Sequence, residues 1–131
     1  MDPVTILMSG LSVVSATIGE KAIKDGYEGL KSLLARKFGA AEPKLTERLD
    51  DFIADPDTFA KPVEKALRDS GAARDPEVVQ QVTSLVEKAE AVKPGASALI
   101  GQLKAIHSQV AVVGGNVQGG ITFGAPPSGK A

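Results

Sequence analysis

The sequence predicts an all-α bundle of four to five helices, led by an apolar N-terminal helix and followed by a β-prone, amyloid-competent tail. Three observations predict it. Apolar residues recur at helical spacing in successive segments up to Glu90. The pairs Asp2-Pro3 and Asp75-Pro76 each place a capping carboxylate before the residue best tolerated at a first helical position. From Gln109 the pattern changes to β-branched residues set between glycine pairs.

The first helix is expected from Pro3 to Gly19, a stretch with no charged residue. On a helical wheel Thr5, Ser9, Ser12 and Gly19 share one side, leaving Ile6, Leu7, Val14 and Ile18 among the apolar remainder. About 17 residues at this rise span roughly 26 Å, a little short of a ~30 Å hydrocarbon core. Asp2 stands where a secretory signal carries positive charge and no Lys precedes Lys21, so the segment is expected to be retained.

In EKAIKDGYEGLKSLLARKFG, Ile23, Tyr27, Leu30 and Leu34 form one apolar stripe of a second helix ending near Phe38. Arg36 and Lys37 suit the negative end of its dipole, and Gly39 is expected to take the left-handed closing conformation. Leu45, Leu49, Phe52 and Ile53 mark a third helix over Pro43 to Ala54. Pro56 and Pro62 predict a turn through DPDTFAKP, then a short fourth helix from Pro62 to Ser70 closed by Gly71. A fifth helix, from Pro76 to about Ala91, carries Val78, Val79, Val82, Leu85 and Val86. After the KPG boundary, Leu99, Leu103 and Ile106 suggest a last short helix weakened by Gly101.

Composition bounds the function. The 131 residues suffice for one domain with a modest core, and the 4% aromatic share with no Trp leaves that core to Leu, Val, Ile and Ala. A net charge of -1 argues against recruitment to nucleic acid by bulk charge. Every acidic residue lies at or before Glu90, and only Lys93, Lys104 and Lys130 are charged beyond it. Zero Cys excludes disulfides and a thiol nucleophile and fits a reducing cytoplasm.

No segment builds an active site. GAPPSGKA matches GxxxxGK only superficially, because Ala131 stands where a hydroxyl should hold Mg²⁺. His107, the single imidazole, is expected to be a solvated linker side chain with no nucleophile turn to serve. Asp50, Asp51, Asp55 and Asp57 lack the register of a calcium loop and read as helix capping and a solvated turn. No enzymatic activity, cofactor or metal is expected.

Two stretches carry a functional expectation. The first helix reads either as a core helix or as one sheltered at rest that inserts into lipid, with Val4, Ile6, Leu7, Met8, Leu11, Val13, Val14 and Ile18 as the lipid-facing set. Its lack of charge keeps insertion inexpensive, since each central Asp, Lys or Arg adds about 2.5 to 3.5 kcal/mol. In the tail, Val110, Val112, Val113, Val117, Ile121 and Phe123 supply β-prone side chains, while Gly114, Gly115 and Asn116 allow a reversal between two short strands. One such unit is barely stable in water, but stacked copies gain backbone ladders, dry valine contacts and Asn116 and Gln118 side-chain ladders. The alternative is an edge hairpin on the bundle or a tail without fixed structure.

The segments MDPVTIL, KDGYEGLKSLLARKFG and ADPDTFAKPVEKALRDSGAARDPEV together resemble the Bell domain, a bacterial helical domain regarded as the counterpart of fungal HeLo-type cell-death domains. The tail VAVVGGNVQGGITFG is similar to bacterial amyloid signalling sequences and, in Val117, Gln118 and Gly120, to the V-Q-x-G core of the RIP homotypic interaction motif. Gly119 departs from the Val, Ile or Leu preferred in the mammalian core.

The resemblance divides the chain into a Bell-like effector domain (1–92), a linker or short helix (93–107), an amyloid signalling motif (108–124) and a disordered tail (125–131). It implies a membrane-targeting cell-death effector acting in antiphage immunity, cytoplasmic at rest. An NLR-like sensor with a matching motif would template the tail, and the clustered domains, a homo-oligomer or fibril, would permeabilise the inner membrane by pore formation or other damage. The competing expectation is a non-enzymatic adaptor whose bundle binds a partner while the tail polymerises.

Overall fold

A computed structural model describes residues 2–114, with side chains placed for residues 2–110. Six α-helices follow in order: α1 (Pro3–Ala16), α2 (Lys21–Phe38), α3 (Leu45–Ala54), α4 (Pro56–Ser70), α5 (Pro76–Val92) and α6 (Ser97–Gly114), with a 3₁₀ turn at Ala72–Arg74 between α4 and α5. No strand occurs among the described residues. Among the described residues there are thus six helices against a bundle of four to five expected, because the last short helix expected after the KPG boundary is a full one.

The apolar stripes predicted for α2, α3 and α5 are buried, including Ile23, Tyr27, Leu30, Leu34, Leu49, Phe52, Val79 and Val86. Each such aliphatic or aromatic side chain stabilises the fold by about 1.5–3 kcal/mol relative to exposure. They converge on α1, which packs against α3, α4, α5 and α6 and so lies at the centre of the bundle, while α2 packs on α3 and α5. Gly10 lets α1 approach closely: a Cβ there would stand 3.0 Å from Val82 Cγ1, 3.3 Å from Val86 Cγ2 and 3.6 Å from Leu103 Cδ1.

Some boundaries depart from expectation, for reasons local to each turn. α1 stops at Ala16, three residues before Gly19, because Thr17 turns its hydroxyl back to the Val13 and Val14 carbonyls and the backbone tightens into Thr17–Val14 and Ile18–Ser15 bonds. Gly39 is right-handed (φ -60°, ψ -32°), since the chain keeps turning the same way through the Glu42–Phe38 and Leu45–Glu42 bonds. α3 begins at Leu45 and not at Pro43. Gly71, by contrast, closes α4 in the left-handed region as expected (φ 76°).

The largest correction in the first half is α4. The expected turn through DPDTFAKP is helical, with Asp55 as N-cap, Pro56 in the first turn and Pro62 inside the helix. Pro62 removes one backbone donor, but the carbonyl it would have served belongs to Thr58, which is exposed to water. Phe59, Val63, Ala66 and Leu67 lie on one face and pack into the core, and that continuous stripe sustains the helix across the proline.

α6 bears out the short helix expected on Leu99, Leu103 and Ile106 and extends it beyond 107, into the stretch whose composition is β-prone from Gln109. The helix runs on to Gly114, taking in Val110, Val112 and Val113. Leu103 and Ile106 are buried and Leu99, Ile100 and Val110 are half-buried, so a 3.6-residue stripe continues past Gln109 and decides the conformation against β propensity. Asn116, Val117, Gln118, Gly120, Ile121 and Phe123 lie outside the described residues.

Candidate functional site

The residues expected to meet lipid lie on α1, except Ile18 just past its end, and are turned inward. Leu7 and Leu11 are 1% exposed and Val14 is fully covered. Val4 and Ile6 are buried, and Met8, Val13 and Ile18 are half-buried against the same core. What α1 shows to solvent is its small and hydroxyl face: Thr5, Ser9, Ser12 and Ala16 are exposed. The two faces anticipated on the helical wheel are both real, and the apolar one is sheltered.

Three polar contacts hold α1 in place. At its start Asp2 Oδ1 accepts the Val4 amide at 2.9 Å, and Oδ2 pairs with Arg68 of α4 at 2.6 Å. The hydrogen bond from Arg68, with that from Val4, keeps the Asp2 carboxyl below the usual carboxylate range. Near its end the Ser15 hydroxyl donates to the Ile53 carbonyl at 2.6 Å, tying α1 to α3. The Thr17 hydroxyl is satisfied within α1 itself.

α6 forms the cover over one side. Leu103 reaches the Gly10 position of α1, and Ile106 is buried beside it in the core. Its N-terminus is held by Glu90 of α5, whose Oε1 accepts the Gly95 amide at 2.9 Å and the Ala96 amide at 2.6 Å. Lys104 pairs with Glu87 of α5 at 3.4 Å. Sequence reasoning missed Glu90, Arg68 and Gly10. Glu90 carried a signal, a carboxylate shortly before a Lys-Pro-Gly turn, whereas the other two depend on which helices meet.

The remaining candidates are structural. Asp50 accepts the Tyr27 hydroxyl at 2.6 Å and pairs with Lys31 at 3.0 Å; Asp55 caps α4 through Thr58. Asp51 and Asp57 are exposed, and among the described residues no group of three acids or imidazoles is placed to hold a metal ion. His107 is not in a linker. It is half-buried on α6, in a shallow polar groove with Ser84, Glu87 and Lys104.

A family model described as the Het-E N-terminal domain matches residues 1–126. The chain belongs to that family. The Het-E N-terminal domain is related to the fungal HeLo group and associated with regulated cell death and heterokaryon incompatibility, so the chain is a HeLo-like cell-death domain. The match spans α1 to α6 and continues beyond Gly114, which places α6 inside the Het-E N-terminal unit. No curated protein and no solved structure matches the chain.

Proposed function

We propose that this Het-E N-terminal domain is a membrane-targeting cell-death effector whose lipid-active helix is α1 and whose switch is the segment from Gln109 onward. One observation carries the reading: α6, which covers the uncharged central helix, runs directly into the β-prone sequence and shares Gln109–Gly114 with it. Recruitment of that sequence into stacked strands would withdraw residues from the C-terminal end of α6. Residues 115–124 would supply the rest of the Bell-associated amyloid motif, Asn116 to Phe123, on this reading.

The insertion geometry is constrained. No helix among the described residues is long and apolar enough to cross a membrane, and the 14 residues of α1 span about 21 Å against a ~30 Å hydrocarbon core. In this proposal released α1 acts in clusters that lie in or thin the bilayer, or it lengthens through Thr17–Gly19. The partners are further copies of the chain, a sensor of the NLR-like type with a matching motif, and inner-membrane lipid reached from the cytoplasm. Phage infection is the proposed trigger, and no catalytic chemistry, cofactor or nucleic acid is assigned.

The burial of Val4, Ile6, Leu7, Leu11 and Val14 favours one competitor, an adaptor in which α1 never leaves the core. Dye leakage from liposomes on addition of the assembled protein separates the two. Aspartates at Leu7 or Leu11 would unfold the bundle, whereas Ser9 and Ser12 are exposed and tolerate charge in the folded state. Ser9→Asp/Ser12→Asp is expected to fold and assemble but not to release dye, while Gln80→Asp on the exposed face of α5 leaks like the parent. Leakage undiminished in the double variant, or absent in the parent, rejects the membrane role. A peptide from Ile106 to Pro127 that neither binds thioflavin nor shows cross-β diffraction rejects the switch.

A further inference from the structure

α3, α4 and the connector before α3 enclose a groove of about 510 Å³ lined by Glu42, Arg48, Lys61, Lys65 and Asp69, with Pro62 and the buried Ala66 between them. Three cations face two carboxylates. Asp69 is already engaged, 2.7 Å from Lys65. Among the described residues neither Arg48 nor Lys61 has a carboxylate within salt-bridge distance, although Glu42 lines the same groove.

Arg48 is the informative member, because it is half-buried and makes no side-chain hydrogen bond to a described residue. With five fixed donors and no protein acceptor among the described residues, the Arg48 guanidinium is free to take oxygens from a ligand. Its charge also reaches Lys65, where it opposes the stronger effect of the Asp69 hydrogen bond that raises the lysine's pKa. Like charges are thus held near one another across a concavity, each on a rigid helix. The ligand that answers such an arrangement is a small anion with several oxygens that a planar fork can grip in pairs.

We propose that the α3–α4 groove binds a phosphoryl anion, gripped by Arg48 and flanked by Lys61 and Lys65. The anion is either the phosphate of an acidic lipid headgroup or a soluble phosphate, and the chemistry of recognition is the same for both. α1 contributes no residue to the groove, so the site stands or falls separately from the insertion of α1.

The test uses the full chain, the double variant Arg48→Gln/Lys61→Gln, and a control, Lys24→Gln/Lys88→Gln, that removes two exposed cations elsewhere. Circular dichroism confirms that each is folded. Binding is measured to inorganic phosphate by calorimetry and to phosphatidylcholine vesicles with about one-third phosphatidylglycerol by co-sedimentation. The expected result is a roughly tenfold or greater loss for the groove variant and little change for the control. Loss confined to the vesicles identifies a headgroup site; loss seen with inorganic phosphate alone identifies a soluble ligand. Equal loss in groove variant and control, or binding of neither probe by the parent, overturns the proposal. A parent that binds vesicles through the groove yet leaks no dye would keep this site and reject only the role of α1.

Discussion

Tyr27 and Gly10 show how single positions set the stability of the bundle. Tyr27 is the one tyrosine of a chain without Trp, is buried, and donates to Asp50 at 2.6 Å with the Lys31 ammonium 5.3 Å from its ring. Burial first, and the Asp50 hydrogen bond second, push its phenol above the ordinary tyrosine range. A raised acid of this kind binds its proton more tightly in the folded state. Its contribution is whole below the unfolded value of about 10 and declines as pH rises beyond it. Phenolate absorbance is therefore expected to appear together with loss of helical circular dichroism, and Tyr27→Phe to flatten the stability slope above pH 10 or so. Reversible phenolate formation in a fully helical protein would contradict this. At Gly10 the space is already taken by Val82 and Val86, so Gly10→Val should lower the unfolding free energy by about 1–3 kcal/mol in urea titrations through overpacking.

Elements follow their buried stripes more faithfully than their punctuation. Pro62 sits inside α4 although its ring and missing donor act against the helix there. Because the face formed by Phe59, Val63, Ala66 and Leu67 holds the helix together, Pro62→Ala is expected to raise the melting temperature, with a gain on the order of 1–3 kcal/mol after the unfolded chain's extra freedom is counted. A lowered melting temperature would show that α4 needs the proline's rigidity. The capping pairs were legible beforehand: Asp2 and Asp75 both accept first-turn amides, the latter from Glu77 at 2.9 Å and Val78 at 3.2 Å. Asp75 also holds Lys37 at 3.0 Å, joining the end of α2 to the start of α5, a role no local motif announces.

At the scale of the molecule, α1 is a central helix that α6 covers on one side. Shortening Leu103 to Ala, where the side chain is fully covered and reaches the Gly10 position, should cost about 2–5 kcal/mol. If α6 is a separable cover, hydrogen exchange in this variant accelerates at the amides of Leu7 to Val14 and through α6 while Leu33 of α2 and Leu49 of α3 keep their protection. Uniform acceleration across all helices would mean that the bundle opens as one unit and that α6 is no cover.

Most of the helical content, the buried stripes of α2, α3 and α5, and the two-faced character of α1 were determined by sequence alone, because hydrophobic spacing and Asp-Pro caps act within a few residues. Tertiary structure alone decided that α4 continues through Pro62 and that Val110 extends a helix and not a strand. In both places a weak local preference competed with burial against another element, and burial won. The position of α1 at the centre, the Arg68 clamp on Asp2, and the convergence of Arg48 with Lys61 and Lys65 likewise arise from residues on different helices. Such meetings leave no periodic trace, since each depends on which helix faces which.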